Sequence, residues 1–187
     1  VRLALDEALC RVLTDQDAAE ALGVAEAGLA AAGAHPDAAS REPWLRLRAC
    51  RAGMLLESGQ LAVGQAELEQ LLEATRSPAD ASIHALVLLE RGVYRSRIGQ
   101  LEVAQTDLMR ACETLRSTGP DRDLTLCLGH LANHYRRVGD GEEALILDAL
   151  AALDIPGLLL VLVARHPQRF AEVAELLRVR GLEFSRR

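Results

Sequence analysis

The chain has 187 residues, half of them hydrophobic but only 3% aromatic, and a formal net charge of −6. The length suits one domain, or one domain with a small appendage. The core must come from Ala, Leu and Val, a mixture that favours close-packed helices. The acidic balance argues against nucleic acid as the main partner, and no apolar run approaches the ~20 residues of a membrane span. Every basic residue is Arg, which, with abundant Ala, Gly and Leu, points to a GC-rich bacterial genome. The N-terminus carries Asp6 and Glu7, shows no basic-then-apolar signal pattern and lacks an initiator Met. A cytoplasmic location and a fragment or trimmed chain are therefore expected. Cys10, Cys50, Cys112 and Cys127 are widely scattered with no CxxC spacing, so four buried free thiols are expected rather than a zinc site.

In chain order, residues 2–13 and 17–32 read as a first helix pair, ended by Gly33-Ala34-His35-Pro36-Asp37. From there three glycine turns recur every forty residues: Ser58-Gly59-Gln60-Leu61, Ile98-Gly99-Gln100-Leu101 and Val138-Gly139-Asp140-Gly141. Apolar residues at i, i+3, i+4, i+7 spacing lie on both sides of each, the mark of amphipathic helices. Leu45, Ala49, Ala52 and Leu56 precede the first turn, and Val63, Ala66, Leu68 and Leu71 follow it. Ser77-Pro78-Ala79-Asp80 and Ser117-Thr118-Gly119-Pro120-Asp121 separate successive pairs, since Pro and Gly break helices and Ser or Asp caps the next. The predicted pairs lie near 2–33, 41–76, 81–117 and 124–153.

These residues resemble the tetratricopeptide repeat family, over about 1–140. Tyr135, Gly139 and Ala144 match its pattern in the third repeat, and Gly92, Gly99, Ala104 and Ala111 in the second. In the first, Ala52, Gly59 and Leu68 match, but Gly64 sits where Ala is usual, and Tyr94 is one place off the usual aromatic position. The forty-residue step exceeds the family's ~34. The resemblance implies antiparallel helix pairs stacked as a solenoid, whose inner face binds a peptide or partner protein. Arg97, His130, Asn133 and Arg137 are the candidate groove residues, with an acidic or C-terminal carboxylate ligand as the sharp reading and a solvated polar face as the plain one.

Other constellations carry little chemistry. His130 and His134 are four apart on one helix, but two ligands without a third nearby make only a weak metal site, and the Glu of a zinc peptidase is missing. Glu142 and Glu143 suit the first turn of a helix, and Asp140 with Glu143 fits a capping box. Trp44 reads as a packing residue near a helix start. No catalytic residue, cofactor or metal is expected.

Near its C-terminus the pattern changes. Pro156-Gly157 ends a helix, and residues 158–163 form a short continuous apolar run, consistent with a strand buried on both faces or with a short buried helix. A helix over 167–180 and a second strand over 182–185 complete an expected β-α-β unit. Ala164-Arg165-His166-Pro167-Gln168-Arg169-Phe170, with the helix from Gly141-Glu142-Glu143, resembles bacterial Kdo transferases, which add 3-deoxy-manno-octulosonate to lipid A. The resemblance covers about 141–187 and implies that Arg165 contacts the cytidine nucleotide of the donor. Ala164 departs from the family's proline there, and the family's acceptor-binding half and later donor loops have no counterpart in this sequence.

The expected fold class is thus mainly α, a tetratricopeptide-like solenoid over 1–140 followed by a small β-α-β unit within 141–187. The seam could be a natural fusion, an assembly artefact or an engineered chimera. The expected function is a non-catalytic protein-interaction scaffold. The alternatives are a truncated donor-nucleotide-binding part of a lipid A Kdo transferase, and a sensory or regulatory repeat region of a larger multidomain bacterial protein. Self-association through an exposed strand edge is a further expectation.

Overall fold

A computed structural model describes residues 2–14, 17–33, 36–37, 39–118, 121–141 and 144. The helices are α1 (Arg2–Thr14), α2 (Ala18–Ala32), α3 (Arg41–Glu57), α4 (Leu61–Ala74), α5 (Ala81–Arg97), α6 (Leu101–Thr118) and α7 (Asp121–Val138). A single 3-10 turn, Pro78–Asp80, leads into α5.

The turns after α3, α5 and α7 are one structure used three times. Gly59, Gly99 and Gly139 sit at φ 83°, 81° and 91°, where a side chain would be strained. Each turn closes with the same long backbone bond: Gln60 N–H to Leu55 O (2.8 Å), Gln100 N–H to Arg95 O (2.9 Å) and Asp140 N–H to Tyr135 O (2.9 Å). A second bond from each glycine N–H, to the carbonyl three residues back, completes a Schellman cap, which satisfies the last carbonyls of the helix and reverses the chain.

The helices of a pair cross at small residues forty apart. Ala52 meets Gly64, and Gly92 meets Ala104. A Cβ added at Gly64 would lie 2.8 Å from Leu56 Cγ and 3.0 Å from the Ala52 carbonyl oxygen; one at Gly92 would lie 2.8 Å from Leu108 Cγ and 3.3 Å from the Ala104 oxygen. At both crossings a leucine side chain and a backbone carbonyl occupy the place a Cβ would take, so glycine is what lets the two helices approach there.

Polar bonds repeat with the same step. Glu67 of α4 accepts from Arg48 Nε (3.0 Å) and from Arg51 Nε (2.9 Å) and Nη2 (2.6 Å) of α3. Asp107 of α6 accepts from Arg91 Nε and Nη2 (both 2.9 Å) and from Arg95 Nη1 (2.7 Å) of α5. Both carboxylates are buried. Between pairs, Gln65 donates to the Tyr94 hydroxyl (2.9 Å) and Gln105 to that of Tyr135 (3.1 Å). Tyr94, although one place off the forty-residue register of Tyr135, makes the same bond.

Two apolar clusters share α3 as a wall. One runs from α3 to α7 through Leu45, Leu68, Leu86, Leu108 and Leu131; the other joins α1, α2 and α3 through Cys10, Ala25, Leu47 and Met54. Trp44 packs against both, donates Nε1–H to the Gly33 carbonyl (3.2 Å) and carries the Arg48 guanidinium 4.9 Å above its ring.

Two expectations are corrected. Every element among the described residues is helical and none is a strand, so the expected fold class, with its β-α-β unit, does not hold over them. The unit's residues, 158–185, lie outside the described residues, as does most of the expected 141–153 helix. Self-association through a strand edge therefore finds no support. The second correction concerns the thiols: Cys10 pairs with Cys50 and Cys112 with Cys127, leaving no free cysteine among the described residues. Cys10 and Cys50 are themselves forty apart, at equivalent positions of α1 and α3.

Cross-links over 40 and 15 residues restrict the unfolded chain strongly. Replacing Cys10 and Cys50 by Ser is expected to lower the unfolding free energy by about 2–4 kcal/mol. Denaturant titration measures it, and a reducing agent should reproduce the loss in the parent chain but not add to it at this bridge in the double variant.

Candidate functional site

The first helices of the pairs come together around buried charge. Asp123, at the start of α7, is 0% exposed. Its two oxygens accept from Arg11 Nη1 of α1 (2.8 Å) and Arg46 Nη1 of α3 (2.9 Å). Arg11 also pairs with Glu7 one turn back (2.5 Å), and Arg46 with Glu42 (3.1 Å). A carboxylate buried this deeply is tolerable only when opposite charge and hydrogen bonds replace its water. α1, α3 and α7 are thereby tied at one point.

Glu90 of α5 lies in the same region under different terms. It makes no hydrogen bond or ion pair among the described residues. Burial pushes its carboxyl up to about 7; Arg11 opposes that rise, Glu57 adds to it and Arg97 opposes it. A Cβ at Gly53 would meet Glu90 Oε2 at 2.5 Å, so the glycine leaves the space that the carboxyl fills.

The candidate groove residues lie beyond this network, on α5 and α7. Arg97 pairs with Glu57 of α3 (2.8 Å) and is 41% exposed. Glu57, Arg97 and Arg137 are spaced forty apart, at the same register position of α3, α5 and α7. His130, Asn133 and Arg137 share one face of α7 by their i, i+3, i+7 spacing. His130 is half-buried, while Asn133 and Arg137 are exposed. The Asn133 side-chain oxygen accepts from Arg136 Nη1 (2.5 Å). Arg165 lies outside the described residues.

His134, one turn on from His130, is buried, and its Nδ1 lies 2.9 Å from the Ser96 hydroxyl of α5. Its Nε2 has no hydrogen-bond partner. Burial, then Arg137, holds its pKa below the usual histidine value, so it packs as a neutral ring. Among the described residues no group of three His, Cys, Asp or Glu side chains is placed to hold a metal ion.

Sequence reading passes over Asp123 and Glu90, because an acid on a mainly polar helix face looks solvated. The signal available is the arginine spacing: Arg46, Arg48 and Arg51 are crowded onto a helix that also carries core positions. Such arginines need carboxylates on neighbouring helices.

No protein-family model matches the chain, and no solved structure matches it. A 3-deoxy-D-manno-octulosonic acid transferase of Bordetella pertussis is 42% identical over 53 residues, covering 26% of this chain and 12% of that relative. The chain therefore spans only a small part of the length of the curated relative it matches. The match supports the Kdo-transferase-like segment. No helix among the described residues is long and apolar enough to cross a membrane.

The Glu90 carboxyl takes its proton more tightly folded than unfolded, so the stability it contributes is complete below about pH 4.5 and is lost as pH rises towards 7. Glu90→Gln is expected to stabilise the protein at about pH 8 by roughly 1–3 kcal/mol, with little change near pH 4. The comparison is variant against parent at each pH. His84 and His134, whose pKa values are lowered, work in the opposite sense as pH falls below the usual histidine range, and they cancel in that difference.

Proposed function

We propose that residues 1–140 form a non-catalytic protein-interaction scaffold of the tetratricopeptide kind, and that residues 141–187 form a separate Kdo-transferase-like segment. The observation that carries the scaffold reading is the forty-residue recurrence of one turn, one small-residue crossing and one buried Arg–carboxylate contact. Such recurrence builds a stack of similar surfaces rather than a single reaction centre.

The partner surface is the exposed part of α7 with its neighbour on α5: His130, Asn133, Arg137 and Arg97. Asp123 and its arginines occupy the start of α7, which leaves the C-terminal half of that helix for a ligand. The side-chain amide and guanidinium groups there suit a peptide ending in a carboxylate or carrying acidic residues. A library of acidic and free-carboxylate peptides screened against the full chain is expected to yield binders. Arg137→Glu should weaken them by about tenfold and Asn133→Ala by a smaller factor. Binding unchanged by both would end the groove reading.

The second reading rests on the Bordetella match. A cytidine nucleotide would meet Arg165 in the C-terminal segment, making the chain part of a donor-binding region. Cytidine monophosphate should then bind at millimolar concentration, by calorimetry, with loss in Arg165→Ala; retention of binding in that variant would refute it. The same scaffold would also serve as a regulatory repeat region in a larger bacterial protein. The expectation of a cytoplasmic location rests on the missing signal pattern, and two disulfides weigh against it, since structural disulfides persist mainly in oxidising compartments.

A further inference from the structure

A groove of about 570 Å³ lies over α5, between α4 and α6, and no described residue of α7 lines it. Its volume is in the range of small-molecule sites. His84, Leu88 and Arg91 form the floor, Arg76 and Pro78 close one end, and Arg110 stands on the α6 side.

The charges in this groove are not balanced. Arg91 is fully engaged, by Asp107 at two points and by Glu69 (3.3 Å). Glu69 is the one acid among the described lining residues, and its charge is already met by that contact. Arg76 meets only Glu73, in an ion pair exposed on both sides (72% and 66%) that water and salt weaken readily. Arg110 takes part in no ion pair among the described residues.

The histidine between them is oriented. Thr75 donates its hydroxyl hydrogen to the Leu71 carbonyl (2.7 Å), so its oxygen accepts from His84 Nδ1–H (3.0 Å). That fixes the tautomer and leaves the Nε2 lone pair as the site of protonation. Burial first, then Arg110, Arg91 and Arg76, lowers the His84 pKa, with the Leu72 backbone working weakly the other way. Three guanidinium groups therefore bear on one ring. An anion in their midst relieves that repulsion and gains a third donor as the ring protonates.

We infer that this groove binds a small organic phosphate, with Arg76, Arg110 and His84 holding the oxyanion and Leu72, Leu88 and Pro78 receiving the organic part. The two exposed guanidinium forks supply paired N–H donors, the geometry that phosphate oxygens accept best. The apolar floor beside them gives the ester a reason to bind more tightly than the bare ion.

The test uses the full chain with phenyl phosphate and inorganic phosphate as probes, followed by calorimetry and by NMR of the histidine rings. Phenyl phosphate is expected to shift the His84 resonances and to bind more tightly near pH 6 than near pH 8, because the ring must be protonated to donate from Nε2. Arg110→Gln should cost about tenfold in affinity, whereas Arg116→Gln, an exposed change on the same helix outside the groove, should cost nothing. Equal losses in the two variants would reduce the effect to general surface charge and overturn the proposal. So would unshifted His84 resonances at saturating phenyl phosphate. Inorganic phosphate binding as tightly as phenyl phosphate would overturn the assignment of an organic ligand. Circular dichroism of the two variants checks that both remain folded.

Discussion

Buried carboxylates held by pairs of arginines organise this protein. Glu67, Asp107 and Asp123 each accept from two guanidinium groups on other helices. The core is short of large side chains, with 3% aromatics, and so gives little directional information. Leu and Ala surfaces can slide past one another at small cost, whereas a forked guanidinium bond has one good register. Such pairs add little net stability over an apolar replacement, but removing one partner leaves a buried charge, at about 3–5 kcal/mol. Their contribution here is to fix which helix turn faces which.

Small residues complete the same constraint from the apolar side. Ala52 with Gly64, and Gly92 with Ala104, set how closely the two helices of a pair approach. That distance in turn lets Arg51 and Arg91 reach the acids across the crossing. The Schellman turns at Gly59 and Gly99 bring each second helix back antiparallel. Turn, crossing and ion pair are three expressions of one forty-residue unit.

Much of this is legible in the sequence. The glycine spacing locates the turns, and the i, i+3, i+4 pattern locates the helices, because both depend on local geometry. The cysteines mislead: absence of CxxC excludes a zinc motif but says nothing of pairing between distant helices. Their spacing holds a clue, since Cys10 and Cys50 differ by the repeat step. Asp123 is illegible for a different reason. Its partners lie 112 and 77 residues away, and no local pattern encodes a contact of that range. The groove over α5 escapes a sequence reading because Arg110 joins Arg76 and His84 from 26 residues farther along the chain.

The Cys10–Cys50 bridge has a mechanical side. It joins equivalent points of α1 and α3, so a pulling force entering at the N-terminus passes from one helix to the other through sulfur. The residues between them, 11–49, which contain α2, are shielded from that load. Under tension the intact chain would yield roughly 130–140 Å less extension than the reduced one, at ~3.3–3.6 Å per residue.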